Sequence, residues 1–151
     1  MGRWRFSPAE SSGAARLTRW AKPRIKAIAI EQNSTRLQYI ADNAAALGTP
    51  YLQIVASKAP AALKDLPQPD AIFIGGGART QGLFEACWEA LPPGGRFVVN
   101  AVTVESEQKL LQWYNHVGGE LIRVAVQRAA PIGGFLGWKP MVPVTQWVVV
   151  K

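Results

Sequence analysis

The sequence predicts an α/β fold: a mainly parallel sheet with helices on both faces, closed by an antiparallel strand pair. Three observations carry this. Apolar strands alternate with helical segments in units of roughly 20–30 residues, the pattern of a parallel sheet. The stretch Asp70-Ala-Ile-Phe-Ile-Gly-Gly-Gly77 runs an apolar strand into three glycines, and such sheets bind ligands just beyond the carboxyl ends of their strands. The last two strands have no helix between them, so they pair antiparallel at an edge.

The elements follow in order. Residues 26–31, Lys-Ala-Ile-Ala-Ile-Glu, read as a buried strand. Gln32-Asn33-Ser34 then offers N-cap chemistry. Leu37, Ile40, Ala44 and Leu47 recur at helical spacing, and Gly48 stands just past the helix end. Residues 51–56 form a second strand. Residues 61–66 suit a short helix, stopped by Pro67 and Pro69. Residues 71–74 are the third strand. Thr80 is placed to cap a helix whose apolar face is Leu83, Phe84, Cys87, Trp88 and Leu91, ended by Pro92-Pro93-Gly94-Gly95. Residues 96–101 are the fourth strand. Thr103 starts a helix carrying Leu110, Leu111, Tyr114 and Val117, ended by Gly118-Gly119. Residues 120–127 alternate, with Ile122, Val124 and Val126 on one side, and residues 144–150 are the last strand. Residues 129–143 between them are rich in Gly and Pro. Upstream, residues 14–22 read like a helix with a thin apolar face.

Composition bounds the function. The chain has 151 residues, 48% hydrophobic and 18% charged, which suits one domain with a real core. We expect residues 1–151 to form a single domain, with residues 1–25 an atypical N-terminal segment. The single Cys87 excludes an internal disulfide or a cysteine-rich metal site. No apolar run approaches the roughly 20 residues of a membrane span. The first residues carry no apolar signal region, and a cytoplasmic location is expected. Net charge is +7. Arg3, Arg5, Arg16, Arg19, Lys22, Arg24 and Lys26 precede the first strong strand. Such basicity suits an anionic partner, whether a nucleic acid, a phospholipid surface or a polycarboxylate, or it is a solvated surface.

The three glycines let the backbone take positive φ and approach a ligand closely, or they form a plain tight turn. The order of features narrows this. It runs from a strand ending in Glu31, through an Asp70 strand with glycines and a helix before Pro-Pro-Gly-Gly, to a terminal antiparallel pair. This resembles the class I S-adenosylmethionine-dependent methyltransferases, with their Rossmann-like sheet. Three segments resemble one family more closely: Ala59-Pro-Ala-Ala-Leu63 before Leu66-Pro67; Ala71-Ile-Phe-Ile-Gly-Gly-Gly77; and Asn100-Ala-Val-Thr-Val-Glu-Ser106. They look like the C-terminal methyltransferase part of the precorrin-6Y C5,15-methyltransferase (decarboxylating) family. The likeness runs from about residue 27 to the C-terminus.

The resemblance implies C-methylation of a precorrin-type tetrapyrrole at C5 and C15 in cobalamin biosynthesis, with loss of the carboxyl group of one acetate side chain. S-adenosyl-L-methionine would be the methyl donor, with no metal. It also implies a homo-oligomer, an N-terminal methyltransferase partner polypeptide, and no nucleic-acid or membrane partner.

Candidate residues follow from this frame. Glu31, at a strand's carboxyl end, would accept hydrogen bonds from ribose hydroxyls; the plainer reading is a helix-capping surface residue. Ser57, Lys58 and Ala59 would border the adenine. Similar family members tend to carry Gly-Thr where Ser57-Lys58 stand, so Lys58 either reaches a substrate carboxylate or is a solvated loop lysine. Gly75 and Gly76 would lie against the cofactor. Gly77, Arg79, Asn100 and Thr103 would meet the substrate. Arg128 and Lys139 flank the Gly/Pro-rich segment, a candidate lid. His116 reads as a helix-end residue and Cys87 as core.

Other readings stay open. A nucleic-acid methyltransferase or binder fits the basicity, but the Asp70 strand runs into glycines rather than an Asn/Asp-Pro-Pro-aromatic segment. An inactive remnant or partner-completed subunit is another reading. The class I fold needs a central strand before Glu31 that ends in Gly-x-Gly-x-Gly, and this sequence has none there: Gly13 stands alone among Pro8, Glu10 and Ser11. A short strand around Trp4 would fill part of that place. We expect an N-terminal strand and glycine loop that are truncated or altered, from a misassigned start or a frameshift near Ser12. We also expect weak cofactor binding by this chain.

Overall fold

The computed structural model describes residues 15–16 and 26–151. Among these residues, nine strands and three helices follow in order: β1 (Ala15–Arg16), β2 (Ala27–Glu31), α1 (Ser34–Ala46), β3 (Leu52–Ala56), β4 (Ala71–Ile74), α2 (Leu83–Ala90), β5 (Arg96–Ala101), α3 (Val104–Val117), β6 (Glu120–Val124), β7 (Gln127–Ile132), β8 (Phe135–Pro140) and β9 (Val144–Val150). A 3-10 turn covers Ala61–Asp65, where the short helix was expected.

Seven strands form one sheet in the order β3-β2-β1-β4-β5-β9-β6. β2 pairs parallel with β3, and β4 with β5. β1 runs antiparallel to both β2 and β4, and β9 antiparallel to both β5 and β6. So β2 to β6 all point one way, and only β1 and β9 run against them. The expected antiparallel pair is present, with β9 inserted between β5 and the edge strand β6.

Sequence order reverses between β2 and β4, the switch point where open α/β sheets bind ligands. β1 fills that place over two residues, Ala15 opposite Ile30 and Ile74, and Arg16 opposite Ala29 and Phe73. Residues 14–22 were expected to start as a helix. At Ala15–Arg16 they form a strand instead, because strand edges on both sides present backbone groups that need partners. The readings of Trp4, Pro8, Glu10, Ser11 and Gly13 lie outside the described residues.

The helix signals act as the sequence suggests. The Asn33 side chain accepts from Arg36 N–H at 3.1 Å and caps α1. Gly48 takes φ 64° just past the helix. Thr103 caps α3 by accepting from Ser106 N–H. Thr80 does not cap α2. The cap position is Gly82, at φ 72° with no side-chain bond, and Thr80 gives only its carbonyl, to Leu83 N–H at 3.2 Å. The chain turns twice before this helix starts, so the polar residue falls too early.

The core lies where α2 and α3 cover one face of the sheet. Phe84, Phe97, Leu110 and Trp147 are fully buried there. Phe84 meets Phe97 edge-on at 5.7 Å, and Trp113 tilts against Phe84 at 5.6 Å. The Trp147 indole N–H donates to the Gly118 carbonyl at 2.8 Å. A Cβ on Gly119 would come within 2.5 Å of the Val148 carbonyl, so the chain must pass this corner without a side chain. Within α3, Leu110 is buried but Leu111 is 40% exposed, because the next residue around the helix turns about 100° away from the core.

The strand expected over residues 120–127 ends at Val124, so Val126 lies beyond it. Ile122 and Val124 share a side of β6, and all three residues are exposed. The other side of β6 meets the core: Leu121 packs against it, and Arg123 binds Thr145 and Glu107. The Gly/Pro-rich segment is the β7–β8 hairpin, turning at Gly133 with φ 60°. Arg128 and Lys139 stand opposite each other in its ladder.

Candidate functional site

The parallel strands bring their carboxyl ends to one rim. A cleft of about 260 Å³ opens there, just under the roughly 300 Å³ lower range of ligand pockets. Glu31 enters from the end of β2, and Ser57, Lys58 and Ala59 from the loop after β3. Gly75, Gly76, Gly77 and Arg79 come from the loop after β4, and Asn100 and Thr103 from β5 and the start of α3. The cleft thus gathers the ten residues expected from the sequence to meet the cofactor or the substrate. Gly77 takes φ 75°, a left-handed conformation that favours glycine. No hairpin residue lines the cleft, so Arg128 and Lys139 do not reach it as a lid would.

Glu31 holds the turn into α1, and it is buried rather than at the surface. Its Oε1 accepts from Gln32 N–H at 2.8 Å and Asn33 N–H at 2.9 Å, fixing the turn into α1. Its Oε2 is buried with no partner among the described residues. Buried carboxylate oxygens are rarely left so, because desolvation without a hydrogen bond is costly. A ligand hydroxyl would satisfy it.

Arg36, Gln32, Thr80, Leu83, Val102 and Ser106 also line the cleft. The sequence offered no local signal for Arg36, which reads as an ordinary helix-surface residue. With Lys58 and Arg79 it puts three cations around the cleft, and among the described lining residues the sole carboxylate is Glu31. The pKa of Glu105 is lowered by its own backbone N–H at the start of α3, then by the Thr103 hydroxyl and the nearby Arg79 charge. Asn100 is gripped from outside: its Oδ1 accepts from Gln146 Nε2 at 2.9 Å.

Among the described residues no cluster of His, Cys, Asp and Glu could hold a metal. None of the helices there is long and apolar enough to cross a membrane. Cys87 is buried within α2, and burial, with the Glu85 charge second, pushes its thiol up to about 12. It is not a nucleophile on a loop.

Comparison with known proteins agrees with this architecture. The precorrin-6Y C(5,15)-methyltransferase [decarboxylating] of Sinorhizobium sp is 54% identical over 131 residues, 87% of this chain and 32% of that protein. The chain therefore spans about a third of the length of the curated relatives it matches. The solved C-terminal domain of precorrin-6Y C5,15-methyltransferase from Rhodobacter capsulatus superposes with a TM-score of 0.76 at 43% identity, over 82% of this chain and 67% of that one. A SAM-dependent O-methyltransferase from Thermotoga maritima shares the fold at 20% identity, with a TM-score of 0.57 over 82% of this chain and 49% of that one. Residues 12–151 match the family described as the precorrin methyltransferase domain. The chain belongs to that family, on a Rossmann-like methyltransferase fold.

Proposed function

We propose that the cleft binds S-adenosyl-L-methionine and a precorrin-type tetrapyrrole, and that the chain takes part in methylation at C5 and C15 with decarboxylation of an acetate side chain in cobalamin biosynthesis. The observation that carries this reading is the buried Oε2 of Glu31 at the carboxyl end of β2, which has no partner among the described residues. A carboxylate there accepts from the ribose hydroxyls of an adenosyl group, with Oε1 already committed to the backbone. Ser57, Lys58 and Ala59 border the adenine side, and Gly75 and Gly76 leave room for the rest of the cofactor. When bound, S-adenosylmethionine supplies an electrophilic methyl group.

The substrate side is read from charge. Arg36, Lys58 and Arg79 favour the acetate and propionate carboxylates of a tetrapyrrole. Gly77 leaves space for a flat macrocycle, and Asn100 and Thr103 offer polar contacts. The chain needs no general base for decarboxylation, because the conjugated macrocycle accepts the electron pair left as carbon dioxide departs. Orientation and exclusion of water are the protein's contributions. The buried Cys87 argues against a cytosine-type nucleic-acid methyltransferase. The longer curated relatives support an N-terminal methyltransferase partner, and the exposed apolar β7–β8 hairpin supports a homo-oligomer.

The test is calorimetric titration with S-adenosyl-L-homocysteine. Binding is expected to be weak. Glu31→Ala should weaken it further by ~1–3 kcal/mol, the cost of leaving polar groups unpaired. An unchanged affinity would reduce Glu31 to a capping residue. Turnover is followed by mass spectrometry as gain of two methyl groups and loss of carbon dioxide.

A further inference from the structure

One side chain outside the cleft governs a group inside it. Asn100 and Gln146 stand directly opposite each other on β5 and β9. Both lie on the sheet face away from Phe97, Val99 and Trp147, and both are half-buried. Gln146 is not a cleft residue. Its Nε2 donates to Asn100 Oδ1 at 2.9 Å. That bond occupies the acceptor branch of the Asn100 carboxamide and leaves its NH2 branch, a pure donor, for the cleft. Turning both amides over would instead present Oδ1 to a cleft that already holds three cations and suits an anionic ligand. The donor orientation is the one that matches those charges.

We infer that Gln146 is a positioning residue that fixes Asn100 as a hydrogen-bond donor to a carboxylate oxygen of the bound ligand. The inference rests on the cleft being the binding site proposed above. Two carboxylates qualify: that of the cofactor's methionine end and those of the tetrapyrrole. The chemistry is the same, and the two are separable by experiment.

Three variants decide it. Gln146→Leu frees Asn100 to rotate, so a donor is still available part of the time. Gln146→Glu places there a carboxylate, which only accepts; the Asn100 NH2 turns toward it, and Oδ1 faces the ligand. Ile122→Glu is the control: it adds the same charge on the same face, opposite Gln146 on β6, without that hydrogen bond. Each is titrated by NMR with S-adenosyl-L-homocysteine and, separately, with uroporphyrin I, a polycarboxylate tetrapyrrole.

Gln146→Glu should weaken one probe by about tenfold or more, as expected where a charged group loses its hydrogen bond. Gln146→Leu should weaken it less, and Ile122→Glu hardly at all. Loss for S-adenosylhomocysteine assigns Asn100 to the cofactor carboxylate; loss for uroporphyrin assigns it to the substrate. A merely structural role would make the leucine and glutamate variants equal, and that equality would overturn the inference while wild-type binding left the cleft assignment standing. Wild-type protein that bound neither probe would overturn both.

Discussion

At the scale of single residues, Cys87 shows how strongly this core resists charge. It is fully buried, and desolvation, with the Glu85 charge second, raises its pKa from 9.0 to about 12. The folded state therefore keeps the proton that the unfolded chain gives up. This contribution is complete below the unfolded pKa and is lost as pH rises from about 9 toward 12. Native protein should react slowly with a disulfide reagent at pH 8 and rapidly once denatured. Between pH 9 and 11 the melting temperature of wild type should fall more steeply than that of Cys87→Ala, and parallel slopes would count against the burial argument. The residue Glu31 was legible as a candidate because it ends an apolar run before Asn33. Gln146 was not: a polar residue in an alternating strand looks like a solvent-facing position, and its partner Asn100 is 46 residues away.

At the scale of elements, caps and periodicity were good guides where the signal is local. Asn33 and Thr103 cap the helices they were expected to cap. Thr103→Val should cost roughly 0.5–2 kcal/mol of stability by removing the α3 cap, measured by chemical denaturation. An unchanged midpoint would show that the Ser106 N–H finds water instead. Periodicity failed where the answer depends on neighbours. Alternation told that Ile122 and Val124 share a side, but not which side faces the core. That was decided by β9, which inserts beside β6 and draws Leu121 inward. A two-residue strand such as β1 has no period at all, so nothing in Ala15–Arg16 announces it. The β7–β8 hairpin was masked by Pro131 and Gly137, residues that argue against a strand.

At the scale of the whole molecule, the hairpin clusters several exposed large apolar side chains among the described residues. Phe135 is 84% exposed, Leu136 75% and Trp138 71%. Exposed apolar patches of this kind mark interaction surfaces, in line with the homo-oligomer proposed above. Light scattering should give a mass above that of one chain, and the double variant Phe135→Glu with Trp138→Glu should lower it. Wild type running as a monomer would remove the hairpin from consideration as a self-association surface.

The two-residue β1 carries a consequence for how the molecule breathes. Among the described residues, the leaf made of β2 and β3 is laced to the leaf made of β4, β5, β9 and β6 through Ala15 and Arg16 alone within the sheet. This seam is the shortest pairing in the sheet among the described residues. Glu31 lies on one leaf and Gly75, Gly76 and Asn100 on the other, so parting the leaves would pull the cleft apart along the same line. Backbone amides of Ala27–Glu31 and Leu52–Ala56 should then exchange with solvent as one group, at a lower opening free energy than those of Arg96–Ala101 and Val144–Val150. A ligand bridging both leaves should slow that group selectively. Uniform protection across all four strands would mean the seam holds as firmly as the rest of the sheet.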